Sequence, residues 1–338
     1  MPAPWRVTVF GAGAALAKHT IPLLHAAGCE TTAFVRGSAE RLPPEVRERV
    51  SRVVVGDALH DPDAVREACS GANAVVSMLT PAPWNPRFVK LLTGCTENIV
   101  RSVVEETTSS AAGAAAVGAA DAADAAAAAD DDAASPPSSS SSSRGVERLV
   151  LIGGAGVMSR SSGAFVTETL PGTAVGKVLP IYGDFFEAHV HNLQLLRDRL
   201  PQPPPPGPPG RETSAATEWV MICPGFLREG GGGSGSSFDD VRFWHEVNDA
   251  RFRGLSVTYE DLARLVAQEA GPPTVGRGAS EGMTTAGWQF RGGSRVGVES
   301  PRGYYSSIPA SVLGIVRWQL QRWQEEPAQA QGGPLPPS

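Results

Sequence analysis

Cysteine, histidine and strongly basic stretches are scarce in this sequence, and each scarcity excludes a class of function. The 338 residues include four cysteines and six histidines, with no C-x-x-C pair and no cysteine beside a histidine at metal-ligand spacing. We therefore predict no metal site and interpret the cysteines as buried, reduced thiols. Lysine and arginine form no cluster that could follow a phosphate backbone, and the net charge is -6, so nucleic acid is not expected as a partner.

Long apolar runs are also missing, which predicts that the chain has no membrane span. The first predicted strand begins near Trp5 and leaves no room for a removable signal or transit peptide, so a cytoplasmic protein is the expectation. Hydrophobic residues make up 41% of the sequence, which suits a packed core, but 38 Gly and 29 Pro concentrate in a few stretches that cannot pack. The folded part is predicted to be shorter than the chain.

Apolar strand patterns alternate with helix patterns through most of the chain. The predicted strands are, in order, 5–10, 31–35, 53–55, 74–79, 146–157 and 219–226, and a short strand begins the segment 255–270. The predicted helices are 14–27, one that opens at Asp61-Pro62, 86–106, 185–200, one with Thr258 as N-cap that ends near 270, and 308–325. This order predicts an α/β fold, a doubly wound parallel sheet of Rossmann type with helices on both faces, in a single domain over 4–326 with a small C-terminal extension on the substrate side.

Three low-complexity insertions and a tail interrupt this pattern. Residues 108–144 are almost entirely Ala, Asp and Ser, 201–218 are rich in proline, 230–237 are glycine and serine, and 327–338 form a tail rich in proline and glycine. Such compositions bury too little apolar surface to offset the entropy of ordering, so we predict disorder, with transient helix where alanine dominates. Each insertion lies where a surface loop lengthens at small entropic cost.

The segment VFGAGAALAKH at 9–19 is the sharpest local motif. It places Gly11-Ala12-Gly13 between a strand and a helix, where small residues let a pyrophosphate approach and the helix amino terminus attracts its charge. The usual third glycine is absent, and Ala14 and Ala17 occupy the small-residue positions. An ordinary tight turn is the alternative, but the place of the motif after a first strand favours a nucleotide.

The end of the second predicted strand indicates which nucleotide is bound. NAD-binding domains usually carry an acidic residue there for the ribose hydroxyls, whereas this chain has Arg36, followed by Gly37 and Ser38. A guanidinium can pair with a 2′-phosphate but has no acceptor for a diol. The alternative is a solvated surface arginine. The motif favours NADP(H) as the cofactor.

Eight blocks of the sequence, in this order, resemble those of NmrA-like and biliverdin reductase B/flavin reductase-like atypical short-chain dehydrogenases. They are VFGAGAALAKH, AFVRGSAERL, VVVGDALHDPDAV, GANAVVSML, TENIVRSVVEE, VERLVLIGGAGV, WVMICPGFL and SVTYEDLARLV. The resemblance covers most of the chain outside the insertions. It implies a Rossmann-type fold, an NAD(P) cofactor and either a reductase or a nucleotide-binding regulator.

The resemblance also implies roles for particular residues. Gly11, Gly13 and Leu16 would line the pyrophosphate site, Arg36 would meet the 2′-phosphate, and Asp57 would touch the adenine. The alternative for Asp57 is a turn residue after the third strand, and the sequence leaves both open. The nicotinamide ribose would be bordered by Ser77, Met78, Leu79 and Thr80. The complete set of predicted cofactor residues is Gly11, Ala12, Gly13, Ala14, Leu16, Arg36, Asp57, Ser77, Met78, Leu79 and Thr80.

The catalytic half departs from the family. Typical short-chain dehydrogenases use a Tyr-x-x-x-Lys pair, whereas Tyr182 is followed four residues later by Phe186. Gly153-Gly154 stands where relatives commonly have Ser or Thr, and the nearby serines, which can be solvated turn residues, are Ser159, Ser161 and Ser162.

His189 and His191 are the remaining titratable candidates near that site. His189 falls where biliverdin reductase B-like proteins also carry a histidine, so it is the candidate proton donor. The alternative is a partly exposed helix histidine with no role. Metal binding by the two histidines together is disfavoured, because positions i and i+2 of a helix point to different sides.

The sequence thus predicts an NADPH-dependent reductase that acts on a small-molecule acceptor of conjugated or aromatic character, such as a flavin, a quinone or a linear tetrapyrrole. Such an acceptor can take hydride directly and then a proton from water, which removes the need for a Tyr-Lys pair. A rival hypothesis is a redox sensor or assembly subunit that binds NADP(H) without turnover. An interaction protein that acts through the insertions is a third hypothesis.

Overall fold

The computed structural model describes residues 3–79, 88–127, 145–153, 180–200, 217–224, 227–228, 242–245, 257–273 and 294–299. The strands are β1 (Arg6–Phe10), β2 (Glu30–Val35), β3 (Arg52–Val55), β4 (Ala74–Ser77), β5 (Arg148–Ile152), β6 (Glu218–Pro224), β7 (Leu227–Arg228), β8 (Arg242–His245), β9 (Val257–Thr258) and β10 (Ser294–Glu299). The helices are α1 (Ala15–Ala26), α2 (Pro44–Arg47), α3 (Pro62–Cys69), α4 (Phe88–Ala127), α5 (Pro180–Arg199) and α6 (Tyr259–Ala270), with a 3-10 turn at Ala39–Arg41.

The main sheet over these residues has the order β3-β2-β1-β4-β5-β6-β10-β8. Its strands are parallel from β3 to β10, and β8 pairs antiparallel at the edge. The first six strands have the order of a doubly wound Rossmann sheet, which confirms the predicted fold class. Strands β8 and β10 were not predicted from the sequence. A separate parallel pair joins β7 to β9.

Two apolar layers cover the sheet, because alternate residues of each strand point to opposite faces. On β1, Val9 points to the face that carries α1 and α6, and Phe10 points to the face that carries α3, α4 and α5. Both side chains are fully buried. None of the helices over the described residues combines the length and apolar character that a membrane span requires.

Two predicted helix starts are confirmed by their capping bonds. The Asp61 carboxylate accepts from the Ala64 backbone N–H at 3.0 Å and begins α3, followed by Pro62 at the first helical position. The Thr258 hydroxyl accepts from the Asp261 backbone N–H at 3.0 Å and begins α6. Each cap satisfies a backbone donor that the helix itself leaves unpaired.

Helix α4 corrects a predicted boundary. The sequence pattern ended this helix at Glu106 and assigned 108–144 to a disordered insertion, whereas the helix continues to Ala127. The added turns are mostly alanine, whose helix propensity is the highest of any residue and needs no tertiary packing to favour the helix. The remainder of that insertion, the proline-rich stretch up to 216, the Gly/Ser stretch, the helix expected at 308–325 and the tail lie outside the described residues.

The two ends of the 108–144 insertion lie side by side at the amino edge of the sheet. A Cβ built on Gly145 would lie 2.6 Å from the Thr107 Cα. The Thr107 hydroxyl lies 2.8 Å from that of Thr217, which also donates to the Val146 carbonyl at 2.7 Å. The chain therefore leaves the body at Thr107 and returns next to the same residue.

The amino edge also holds a buried ion cluster that the sequence did not indicate. Arg148 begins β5 and is fully buried; its guanidinium contacts the Glu218 carboxylate at 2.9 Å and the Glu269 carboxylate of α6. Nearby, the Trp5 indole donates to the Ala270 carbonyl at 2.8 Å. These contacts fasten α6 to the first and fifth strands.

Candidate functional site

A cavity of about 530 Å³ opens at the carboxyl ends of β1, β2 and β4. The sheet order reverses between β1 and β4, and ligands of doubly wound sheets bind at this switch point. The cavity is lined by Gly11, Gly13, Ala14, Phe34, Val35, Arg36, Arg41, Asp57, Ala58, Met78, Leu79, Leu91 and Cys95. Seven of the predicted cofactor residues are in this set, namely Gly11, Gly13, Ala14, Arg36, Asp57, Met78 and Leu79.

The two glycines of the β1–α1 loop serve different needs. Gly11 has φ 80, and a Cβ there would lie 3.0 Å from the Met78 backbone carbonyl, so both the conformation and the close approach to the end of β4 require glycine. Gly13 is exposed, and a Cβ built on it meets nothing within 4 Å. A side chain at Gly13 would therefore project into open space at the mouth of the cavity, where a phosphate needs to approach the backbone.

The amino terminus of α1 is free of its own anionic groups. The N-cap residue Ala14 makes no side-chain capping bond, and the first turn contains no acidic residue. The unpaired backbone N–H groups and the helix dipole consequently remain available to an external anion. This end of the cavity fits a pyrophosphate.

Ala12 and Leu16 were predicted to belong to the same site, and the structure places them beneath it. Ala12 is fully buried and Leu16 is 4% exposed, and both pack in the core under α1. Neither side chain lines the cavity. Their small and apolar character supports the loop from below, as close packing of helix on strand requires.

Two arginines stand at the carboxyl end of β2. Arg36 follows the strand directly, and Arg41, which sequence analysis missed, lies on the 3-10 turn and also lines the cavity. Gly37 has φ 94, and a Cβ there would lie 3.6 Å from the Arg41 Cζ, so the Arg41 guanidinium packs against the backbone of Gly37. The spacing of the two arginines in RGSAER is the signal that could have identified it.

One of the two alternatives that the sequence left open for Asp57 is confirmed, and its contact with adenine stays a prediction. Its carboxylate accepts from the backbone N–H groups of Leu59 at 2.8 Å and His60 at 3.3 Å, which makes it a turn residue. It also lines the cavity. The turn thus fixes Asp57 and Ala58 as one wall of the site.

The opposite wall is apolar and comes from α4. Leu91 and Cys95 are four residues apart on this helix and face the cavity together. The pKa of the Cys95 thiol is raised to about 11, chiefly by burial and also by the charge of Asp57, against a lowering by Arg36. The thiol is therefore neutral at physiological pH and acts as an apolar wall residue. Phe34 and Val35 complete this lining from β2.

At the end of β4, the residues after the strand line the cavity, whereas the last strand residue lies beneath it. The Met78 N–H donates to the Phe10 carbonyl at 3.0 Å, and both Met78 and Leu79 line the cavity. Ser77 is only 5% exposed and lies within the strand, beneath the lining. Thr80, predicted to border the nicotinamide ribose, lies outside the described residues.

Sulfur atoms fill the space beside Gly153 at the end of β5. A Cβ on this residue would lie 2.9 Å from the Met221 Cγ, 3.0 Å from its Sδ and 3.2 Å from the Cys223 Sγ. Met221 and Cys223 are almost completely buried. This packing leaves no room for a side chain at Gly153. Gly154 and the three nearby serines lie outside the described residues.

His189 is a core residue of α5. It is 2% exposed, which corrects the alternative of a partly exposed helix histidine, and burial lowers its pKa from 6.5 to about 4. His189 does not line the described cavity. His191, two residues later on the same helix, is exposed. Tyr182 lies in the first turn of the same helix. The part of the chain that the structure describes holds no group of three or more His, Cys, Asp or Glu side chains placed for a metal ion.

The sequence of this chain matches the family described as NAD(P)H-binding over residues 11–272. No curated protein matches it. Among solved structures, the fold is similar to a short-chain dehydrogenase/reductase from Veillonella parvula DSM 2008 in complex with NADP, with TM-score 0.51, 15% identity, and coverage of 91% of this chain and 100% of that chain. The ethylated form from the same organism gives TM-score 0.50 and 16% identity, covering 90% and 97%. At these identities the likeness concerns the fold alone.

Proposed function

This chain belongs to the NAD(P)H-binding family, and we propose that it is an oxidoreductase that prefers NADP(H) to NAD(H). The observation that carries the proposal is the pair of arginines, Arg36 and Arg41, that line the cavity beyond β2. Two forks of N–H donors suit a 2′-phosphate, whereas an unphosphorylated ribose is usually held by an acidic acceptor at the end of this strand.

The remaining cavity residues would hold the rest of the cofactor. The backbone of Gly11 and Gly13 with the amino terminus of α1 would hold the pyrophosphate, because small residues and unpaired N–H groups meet there. The slot between Asp57 and Cys95 would take the adenine, since one wall is polar and the other apolar. Bound NADPH supplies the hydride, and the chain supplies position and surroundings.

The acceptor that we propose is a conjugated small molecule, such as a flavin, a quinone or a tetrapyrrole. Gly153 offers no hydroxyl, and the sequence has no Tyr-x-x-x-Lys pair to pass a proton to a simple carbonyl. An acceptor with an extended π system tolerates this, because it takes hydride first and a proton from water afterwards. The role of His189 as proton donor remains a prediction, and its pKa of about 4 weighs against it, since the charged imidazole is scarce at neutral pH.

The same residues support a second candidate function, an NADP(H)-binding redox sensor or assembly subunit. The observation in its favour is the contrast between the cavity at the ends of β1, β2 and β4 and the end of β5, where the side chains of Met221 and Cys223 leave no room for a side chain at Gly153. A sensor requires binding without turnover. Steady-state oxidation of NADPH with flavin, quinone and tetrapyrrole acceptors separates the two functions, because only the reductase consumes the cofactor.

The cofactor preference is tested by calorimetric titration of NADPH and NADH. We expect NADPH to bind more tightly, and Arg36→Ala to remove most of the difference, about 1.5–3 kcal/mol for one charge-assisted phosphate contact. Arg41→Ala should also reduce the difference, because Arg41 lines the same cavity. Arg101→Ala, an exposed arginine on α4, is the matched control. Equal affinities of the wild type for both nucleotides would overturn the NADP(H) assignment.

A further inference from the structure

The two walls of the adenine slot belong to elements that are distant in sequence, and Asn98 connects them. It lies on α4, and its side-chain N–H group donates to the carbonyl of Ala58 at 2.9 Å and to that of Leu59 at 3.0 Å. Cys95, three residues earlier on the same side of the helix, lines the cavity together with Ala58. A single amide thus spans from the apolar wall to the polar wall.

The loop that Asn98 contacts is held by side chains from two directions. The Asp57 carboxylate accepts from the N–H groups of Leu59 and His60, and Asn98 donates to the carbonyls of Ala58 and Leu59. Both backbone polar groups of Leu59 are therefore bonded to side chains. Without the amide of Asn98, the two carbonyls would need water, and the loop would lose both of these hydrogen bonds to α4.

The packing around Asn98 makes the approach of helix and loop close. Gly94 lies one turn before Asn98 on α4, and a Cβ built there would overlap the Leu59 Cδ1. The absence of a side chain at Gly94 lets the loop rest directly on the helix. Steric contact and the two hydrogen bonds therefore both fix the distance between this loop and α4, the two elements that contribute Ala58 and Cys95 to the cavity.

We propose that Asn98 is a positioning residue that pre-forms the adenine end of the cofactor cavity, an inference that rests on the proposed NADP(H) function. It touches neither the expected site of hydride transfer nor the phosphate residues, so its effect is exerted through the 57–60 loop. Binding to a pre-formed slot avoids the entropy of ordering that loop. Loss of Asn98 therefore weakens binding of the adenine moiety and leaves the hydride-transfer step unchanged.

The test compares Asn98→Ala and Asn98→Asp with wild type by calorimetric titration of NADPH and of adenosine 2′,5′-bisphosphate, which lacks the nicotinamide half. Aspartate has the shape of asparagine but no donor for the carbonyls. We expect both ligands to bind about tenfold more weakly to both variants, the usual scale for ordering a loop segment on binding. With a working acceptor, KM for NADPH should rise while kcat stays within twofold of wild type.

Asn73→Ala is the matched control, because the Asn73 side chain also holds a loop backbone, accepting from the Arg6 N–H at 2.9 Å, but at the amino edge. It should leave both affinities unchanged. Asn98→Ser, which keeps a shorter donor, provides a further variant if the other two unfold, and should bind with intermediate affinity. If wild type binds NADPH and the Asn98 variants bind it with the same affinity, the positioning role is overturned. Wild type that binds neither ligand overturns the proposed function itself, and this inference with it.

Discussion

The carboxyl and amino edges of the sheet differ in the polar groups that they contain and in how those groups are bonded. At the carboxyl edge, glycine backbone, an uncapped helix and exposed arginines surround a cavity of about 530 Å³. At the amino edge, Arg148 and Glu269 are fully buried against each other, and the indoles of Trp5 and Trp219 each donate to a backbone carbonyl. One edge leaves its polar groups available, whereas the other pairs them within the fold.

The difference indicates that binding and stability are assigned to opposite edges. Unpaired backbone N–H groups at the start of α1 gain hydrogen-bond partners from the ligand when an anion binds there. Paired buried charges and indoles at the amino edge contribute to the folded state whether or not a ligand is present. Substitutions at the amino edge should therefore change the free energy of unfolding, and substitutions at the cavity should change affinity.

The largest effect is expected from Arg148→Ala. Removal of the guanidinium takes away the contact that Arg148 makes with the fully buried Glu269 carboxylate, and breaking such a buried pair costs about 3–5 kcal/mol of folding stability. Urea denaturation measures the loss. NADPH affinity of the folded fraction should equal that of wild type, because the cavity lies at the other edge.

The double variant Arg148→Met with Glu269→Leu is the control for this prediction. Replacement of a buried ion pair by apolar residues of similar volume is often nearly neutral, so the double variant should recover most of the stability. Glu218 is 30% exposed and can turn to solvent. A single variant as stable as wild type, or one that loses NADPH binding while folded, would contradict the separation of the two edges.

Sequence periodicity was sufficient for the first six strands of the sheet, because buried parallel strands are continuous apolar runs and the helix caps are local motifs. Asp61 and Thr258 were both identified this way. Strands β8 and β10 were missed because short runs such as Arg242–His245 acquire strand geometry only by pairing with a neighbour. The end of α4 was misplaced because alanine propensity extends a helix beyond the last residue that packs.

The cavity lining was predictable in part from local sequence motifs. Gly11, Gly13, Arg36 and Asp57 lie at fixed places after strands, and all four line the cavity. The apolar wall and Asn98 were not predictable, since they come from a helix whose rotation about its axis is set by tertiary packing. The burial of His189 has the same origin, because the sequence does not show which side of α5 meets the core.

The second largest effect is a pH dependence of stability that originates in His189. Its folded pKa of about 4 lies below its ordinary value of 6.5, so the unfolded chain binds the proton more readily between these values. Stability is therefore highest above about pH 6.5 and falls as the pH drops toward 4, by up to about 3 kcal/mol. Urea denaturation of wild type and His189→Gln between pH 4 and 7 should show a shallower dependence in the variant.

His191→Gln is the matched control for that measurement, because this histidine lies two residues away on the same helix but is exposed. It should follow the wild-type curve. Identical pH curves for wild type and His189→Gln would mean that the imidazole is not desolvated in the folded protein.

A smaller effect is expected from Gly153→Ser, which restores the hydroxyl position of the relatives. The new Cβ would overlap the Met221 side chain, and overpacking of this kind costs about 1–3 kcal/mol. Met221→Ala in the same chain should remove the overlap and recover part of the loss. Gly113→Ser on α4, where a Cβ meets nothing, is the control. A Gly153→Ser variant as stable as wild type would show that the end of β5 has room for a side chain.

The smallest effect is expected from deletion of residues 108–143, which joins Thr107 to Arg144. Thr107 already lies beside Gly145, so a short connection can close with little movement, and shortening a loop does not increase its closure entropy. The deletion removes the last twenty residues of α4, of which Thr108, Ser109, Ala111, Ala112 and Gly113 are exposed. Because the Thr107 hydroxyl keeps its contact with Thr217, we expect a Tm within about 4 °C of wild type, equivalent to less than about 1 kcal/mol, and unchanged NADPH affinity. Thermal unfolding with and without NADPH measures both. A fall in Tm of more than about 10 °C would mean that residues 108–143 pack on the rest of the fold and contribute to its stability.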